Sequence, residues 1–345
     1  MKTFFKVVLY LIAGVLGIAL LVVAYFFISN NAFIGSVDDE FVRYLDQHEM
    51  PISGTFDDES TVYLFGENHG FAGNQLADEQ LFLSLNKQYG IRYYLAEVDS
   101  ATAGLLNRFL AAPEQDTLLL KNFVNAYRTR IPQQASRELY DKWSRLHQFN
   151  QQLDDSLKIS VLGIDKDIDD TVSGIPRDSA MMVNFVNILA AKGLQREKFY
   201  GFFGFFHVLQ SDPVGMERPF AQRLKAANYP VCSIAGFALD SDMYLPKGLG
   251  MPTPDNERVG IANSDGPLIL VKGIKDLKAA SLPNSTTLFK LNANGSPYLA
   301  SQKLISIKII KVGADFMPKS EHETTTDYFQ YALLLRNSAA LQGLE

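Results

Sequence analysis

The chain reads as an α/β protein with a mainly parallel central sheet and flanking helices, a Gly/Pro-rich insertion near its carboxyl-terminal third, and an amino-terminal transmembrane helix. Three observations predict this. Strand-like and helix-like runs alternate over residues 61–240, the strand-like runs are almost continuously apolar as buried parallel strands are, and residues 7–28 form an uncharged 22-residue stretch. With 345 residues, 47% of them hydrophobic and 20% charged, the chain can bury a large core, which excludes a disordered protein. Its net charge of −6 comes with no basic block, so nothing in the charge pattern points to nucleic acid.

The elements follow in order. Residues 1–6, with Lys2 and Lys6, precede VVLYLIAGVLGIALLVVAYFFI at 7–28, long enough to span a hydrocarbon core of about 30 Å. Bulky Tyr25, Phe26, Phe27 and Ile28 close the run where a secretory signal would carry small residues, so the segment reads as a retained anchor. Lysines before it and Asp38, Asp39 and Glu40 after it place the amino terminus in the cytoplasm and the rest outside, in the periplasm if the source is Gram-negative. Cys232 is the only cysteine, so no internal disulfide forms, and no cysteine near the anchor offers a lipidation site.

Residues 29–60 read as a polar stalk with a small helix near Asp39 to His48, and 61–345 as the α/β domain. Strands are expected at Thr61 to Phe65, Ile91 to Ala96, Lys158 to Ile164, Lys198 to Phe206 and Pro230 to Ala238. The clearest helix is Gln134 to Asp154, whose Leu139, Trp143, Leu146, Phe149 and Leu153 make one buried stripe, with Trp143 in the core. Another is expected to start at Asp178 as N-cap and to bury Met181, Phe185 and Ile188. Residues 240–300, broken by pieces such as LPKGLGMPTPDNE, form either a cap over the strand exits or an insertion of surface hairpins. Ile305 to Val312 and Tyr328 to Leu335 return to strand character.

Chemistry gathers where the strands end. VYLFGENHG runs from an apolar strand into Glu67 and His69, RYYLAEVDS ends in Glu97 and Asp99, ISVLGIDKD ends in Asp165 and Asp167, and YGFFGFFHV reaches His207. Carboxyl ends of parallel strands are where ligands bind in open α/β sheets. Burying carboxylates costs several kcal/mol unless they are paired, so a repeated cluster at one edge points to a proton relay, a metal or substrate binding. Glu67, His69, Glu97, Asp165 and His207 are therefore expected to converge, whereas Asp99 and Asp167 read as capping or solvated residues. Gly201 and Gly204 imply a close approach of a backbone or ligand.

The order GENHG, YGIRYYLAE, VLGIDKD, RDSAMMVNF and GFFGFFHV resembles the superfamily that joins erythromycin esterases, the ChaN haem-uptake lipoproteins and the Tiki/TraB metalloproteases. The resemblance covers roughly residues 60–240. It implies an active site of Glu67, His69, Glu97 and a late histidine, His207, with Arg177 at the start of the helix after the third strand and Arg92 as a looser counterpart of a site arginine. One residue separates Glu67 from His69, as in the haem-uptake branch, where esterases have two.

The leading expectation is a membrane-anchored extracytoplasmic hydrolase acting on an ester or peptide bond. A histidine would act as general base on water, because imidazole titrates near neutrality and no G-x-S-x-G nucleophile is present. A divalent metal on His69, Glu97 and His207 is a second possibility. The alternative is a non-catalytic protein that binds haem or another small ligand among the aromatic residues of FYGFFGFF. A tethered interaction domain would leave the acids at the strand ends unexplained.

Overall fold

A computed structural model describes residues 2–56, 59–167, 174–250, 252–309 and 315–344. Strands run in chain order as β1 (Glu49–Met50), β2 (Val62–Glu67), β3 (Tyr93–Ala96), β4 (Ser160–Gly163), β5 (Phe199–Gly204), β6 (Val231–Leu239), β7 (Met243–Tyr244), β8 (Arg258–Val259), β9 (Ile269–Val271), β10 (Thr286–Lys290), β11 (Ile307–Ile309) and β12 (Tyr331–Arg336). The helices are α1 (Lys2–Ile34), α2 (Asp39–Gln47), α3 (Ala72–Tyr89), α4 (Ser100–Ala111), α5 (Thr117–Arg130), α6 (Arg137–Gln151), α7 (Arg177–Lys192), α8 (Phe220–Ala226), α9 (Ile274–Ala279) and α10 (Thr325–Tyr328).

The main sheet has the order β1-β10-β12-β6-β2-β5-β3-β4, parallel from β12 to β4, with β10 and β1 antiparallel at one edge. β2 is central and all six of its residues are buried. Successive residues serve opposite faces. Tyr63 and Phe65 pack with Leu81, Leu106, Leu120 and Trp143 of α3, α4, α5 and α6. Val62 and Leu64 pack with Met181 and Phe185 of α7 and Phe220 of α8. Each fully buried aliphatic or aromatic side chain contributes about 1.5–3 kcal/mol, so helices on both faces are what make this run of apolar strands stable.

Helix ends follow local chemistry. Asp99, Asp116 and Ser136 each accept a backbone N–H at the start of α4, α5 and α6, as caps do. Gly90 and Gly193 close α3 and α7 at positive φ, 67° and 68°, a conformation open to glycine at little cost. Between α3 and α6, the buried Lys142 ammonium meets the Asp78 carboxylate at 2.5 Å, and Tyr94 and Tyr200 each donate to that carboxylate at 2.8 Å.

Several expectations need correction. The segment expected as a polar stalk is folded onto the domain: Phe41, Tyr44 and Leu45 of α2 are buried, and β1 pairs with β10. The helix expected from Gln134 begins at Arg137, because Pro132–Gln134 forms a separate turn and Ser136 supplies the cap. The helix expected at Asp178 begins one residue earlier, at Arg177, with Pro176 before it. Residues 305–312 do not extend the main sheet; β11 pairs with β9 in a separate two-stranded antiparallel sheet, and residues 310–312 lie outside the described residues. The insertion divides in two, since its β10 is a sheet strand while Met243, Ala262, Leu268 and Ile269 wall a cleft at the strand exits.

Candidate active site

At the carboxyl ends of β2, β3 and β5 lies a cleft of about 270 Å³. Glu67, His69, Glu97, Arg177 and His207 all line it, so five of the six expected site residues share one cleft. The sixth, Asp165, is fully buried behind Arg177.

Glu67 ends β2, and Gly66 before it lets the turn Phe205–Val208 press against the strand: a Cβ at Gly66 would stand 3.2 Å from the Phe205 Cα. That turn carries His207. Glu67 is 1% exposed. One of its oxygens accepts from His69 Nδ1 and from Gln134, and the other from Asn74 at 2.6 Å. Donation from Nδ1 to Glu67 sets the His69 tautomer, and Nε2 has no partner among the described residues. Burial opposes protonation of His69, but the Glu67 carboxylate outweighs it and raises its pKa above the usual 6.5, while the neighbouring His207 pulls the other way.

The second half of the site is built on Glu97. One oxygen accepts the Gly204 N–H at 2.6 Å; the other accepts from Arg177 Nη2 at 2.7 Å and lies 3.4 Å from His207 Nε2. Burial works against its charge, yet His207 and Arg177 hold Glu97 well below the usual carboxylate range. His207 Nδ1 donates to Asp178 at 2.7 Å, and Asp178 also accepts the Phe220 N–H at 2.7 Å. Burial penalises the charged ring, but Glu97 and Asp178 together push the His207 pKa up to about 10. Arg177 Nε lies 3.1 Å from both Asp165 oxygens, and Arg130 reaches the same carboxylate at 3.1 Å.

Both imidazoles lean on Gly204. A Cβ there would stand 3.2 Å from His69 Cε1, 3.3 Å from His69 Nε2 and 3.6 Å from His207 Cδ2. This close approach is the reason for glycine at 204, whereas Gly201 makes room for Phe203, Leu64 and Leu95. Gly204→Ala should leave the fold intact and lower turnover by roughly tenfold, less than the ~100-fold that a 1 Å displacement of reacting groups can cost. Melting temperature and turnover on one preparation check this.

Other expectations resolve simply. Asp99 caps α4 and Asp167 is exposed, as read. Arg92 is a correction: it precedes β3 at the opposite edge of the sheet, bonded to the Ser156 carbonyl at 2.8 Å. The second arginine at the site is Arg130. The metal set is also a correction. Among the described residues no group of three or more His, Cys, Asp and Glu is arranged to hold an ion. Arg177 already fills the cationic position between Glu97, Asp165 and His207, so His69, Glu97 and His207 do not fit a metal. For haem, the cleft is small beside the roughly 300–1,000 Å³ of ordinary ligand sites, which favours a compact group over a macrocycle. Residues not foreseen are Asn74, Arg130, Gln134 and Asp178.

The fold is shared with solved structures. A succinoglycan biosynthesis protein aligns with a TM-score of 0.61 at 12% identity over 90% of this chain and all of its own. An erythromycin esterase mutant in its open conformation gives 0.57 at 11%, covering 83% of this chain and 92% of the other. A Bacillus cereus protein gives 0.56 at 11%, covering 89% and 99%. No protein-family model and no curated protein sequence matches the chain. At these identities the likeness establishes a shared α/β fold.

Proposed function

We propose that this chain is a membrane-anchored hydrolase that activates water at His69 and cleaves an ester or peptide bond. The observation that carries the reading is the pairing of two imidazoles on one glycine, each with its own buried carboxylate partner. His69 has Nδ1 tied to Glu67 and no Nε2 partner among the described residues, while Glu97 and Asp178 raise the His207 pKa to about 10. Among the described residues no serine, threonine, cysteine or lysine lines the cleft, which favours direct attack by water over an acyl-enzyme. The fold shared with an erythromycin esterase supports the same class of chemistry.

In the proposed cycle His69 Nε2 takes a proton from water as the oxygen attacks the carbonyl carbon. The oxyanion is met by the positive charge of Arg177 and His207, whose ring nitrogens already face Asp178 and Glu97, and the His69 proton goes to the leaving group. Asn74 and Gln134 hold Glu67 in place, and Asp165 with Arg130 holds Arg177. A binding role alone explains the apolar wall of the cleft but not the carboxylate partner given to each imidazole. One apolar helix, Phe4–Ile34, is long enough to cross a membrane, and its flanking charges support an extracytoplasmic domain.

A screen of ester and peptide substrates tests the reading, and the pH profile of kcat/KM gives its signature. The base must be unprotonated, so activity rises as pH passes through the His69 pKa, above 6.5. The His207 acid must keep its proton, so activity falls as pH passes about 10. Asp178→Asn removes one support of the imidazolium and should move the alkaline limb to lower pH while leaving the acid limb in place. A purely structural role for Asp178 would lower the melting temperature and leave the profile unmoved.

A further inference from the structure

We infer that the cleft opens at the headgroup level of the membrane that α1 spans, and that its substrate is an amphiphile carried by that membrane, with its apolar part against Phe206, Leu268 and Ile269. The inference rests on the membrane span and on the hydrolytic reading above. Ile34 is 4% exposed and its carbonyl accepts the Gly273 N–H at 2.9 Å. Lys275 Nζ reaches Asn31 Oδ1 at 3.3 Å, and Lys308 Nζ lies 4.3 Å from the Phe33 ring. The last turn of the membrane helix is thus packed into the domain, with no loose tether between them.

The elements it packs against belong to the cleft wall. Ile34 shares one apolar cluster with Phe205, Leu270 and Val271, and Phe33, Phe206 and Ile269 pack against it. Ile269 and Leu268 line the cleft, and Gly273, which bonds Ile34, lies four residues beyond Ile269, about 13 Å of extended chain at most. Along α1, residues 7–28 suffice for the hydrocarbon core, and Ser29 to Ile34 add about 9 Å. The headgroup layer on each side is about 5–8 Å thick. Ile34 therefore emerges at the membrane surface, and the cleft lip follows at once.

Charge agrees with this seat. Lys275 and Lys308 contact the last turns of α1 and Lys272 is exposed beside Gly273, while Asp38, Asp39 and Glu40 follow the helix. Basic residues at that level face phospholipid headgroups. The lip itself is apolar: Phe206, Leu268 and Ile269 are each partly exposed. Such a wall covers the apolar part of a substrate, and an acyl chain leaving the bilayer meets it directly.

The test uses the full chain in phosphatidylcholine vesicles. Leu268→Cys is labelled with an environment-sensitive fluorophore; the native Cys232 is buried, so one site is labelled. Nitroxide lipids at headgroup depth should quench the label. A Gly/Ser insertion of about 20 residues between Ile28 and Ser29, a coil spanning roughly 25 Å, should abolish quenching. In parallel, a soluble short-chain nitrophenyl ester is compared with its long-chain counterpart dissolved in the vesicles. The inserted chain should keep turnover of the soluble ester and lose that of the long-chain ester by at least tenfold. Absent quenching in the parent chain, or long-chain turnover unaffected by the insertion, overturns the inference while leaving the hydrolytic reading standing. Quenching with neither ester hydrolysed overturns the hydrolytic reading, and the substrate class falls with it.

Discussion

His69→Ala is expected to lower turnover by about 100- to 10,000-fold while leaving the chain folded, the range that loss of a general base typically costs. The expectation follows from where the ring stands. Its Nδ1 is held by Glu67, its Nε2 has no partner among the described residues, and its side chain is 28% exposed toward the cleft. Removing the ring takes one of three donors from Glu67, but Asn74 and Gln134 remain on that carboxylate. The stability loss should therefore stay within about 1–3 kcal/mol, the cost of leaving part of a buried acceptor unpaired. A histidine with only a structural role would show the reverse: a lower melting temperature with turnover per folded molecule little changed. Turnover and melting temperature measured on one preparation separate the two.

Glu97→Gln should be nearly as damaging, by a different route. The substitution keeps shape and can still accept the Gly204 N–H, but it removes the charge that does most to support the His207 imidazolium. The His207 pKa must then fall from about 10, so the alkaline limb of kcat/KM moves down and the positive charge beside the oxyanion is lost earlier. Loss of one oxyanion-stabilising group typically costs about 100- to 1,000-fold. The new amide also faces Arg177 donor to donor, which adds a moderate loss of stability. The pH profile of the folded fraction is the deciding measurement. An unchanged alkaline limb with unchanged turnover would leave Glu97 as scaffold only.

Much of this arrangement was legible in the sequence, because the strands announce themselves. An apolar run that stops at Glu67, Glu97 or His207 can be read without knowing what lies beside it. Parallel pairing then brings such ends to one edge as a consequence of topology. What was not legible depended on partners far along the chain. Asp178 follows Pro176 at a helix start, where an acid normally caps; its role as the partner of His207, 29 positions away, exists only in the folded chain. Gln134 reads as the first turn of a helix because Pro132 and Gln133 carry no apolar rhythm, yet it turns inward to Glu67 across 67 positions. The metal expectation counted donors correctly but could not see that a guanidinium already stands among them. The stalk failed similarly: Phe41, Tyr44 and Leu45 have helical spacing, but their partners Phe289, Leu291 and Tyr298 lie some 250 residues on.

The two histidines are expected to carry different charge at the same pH, and nitrogen-detected NMR of the imidazoles across a pH titration measures that directly. Prediction and contradiction are both plain in such spectra. His69 should lose its Nε2 proton at a pKa above 6.5 and stand as the Nδ1–H tautomer through the active range, while His207 keeps both protons until about pH 10. If His207 instead titrates near 6.5, or His69 retains both protons wherever the protein turns over substrate, the proposed division between base and imidazolium is wrong.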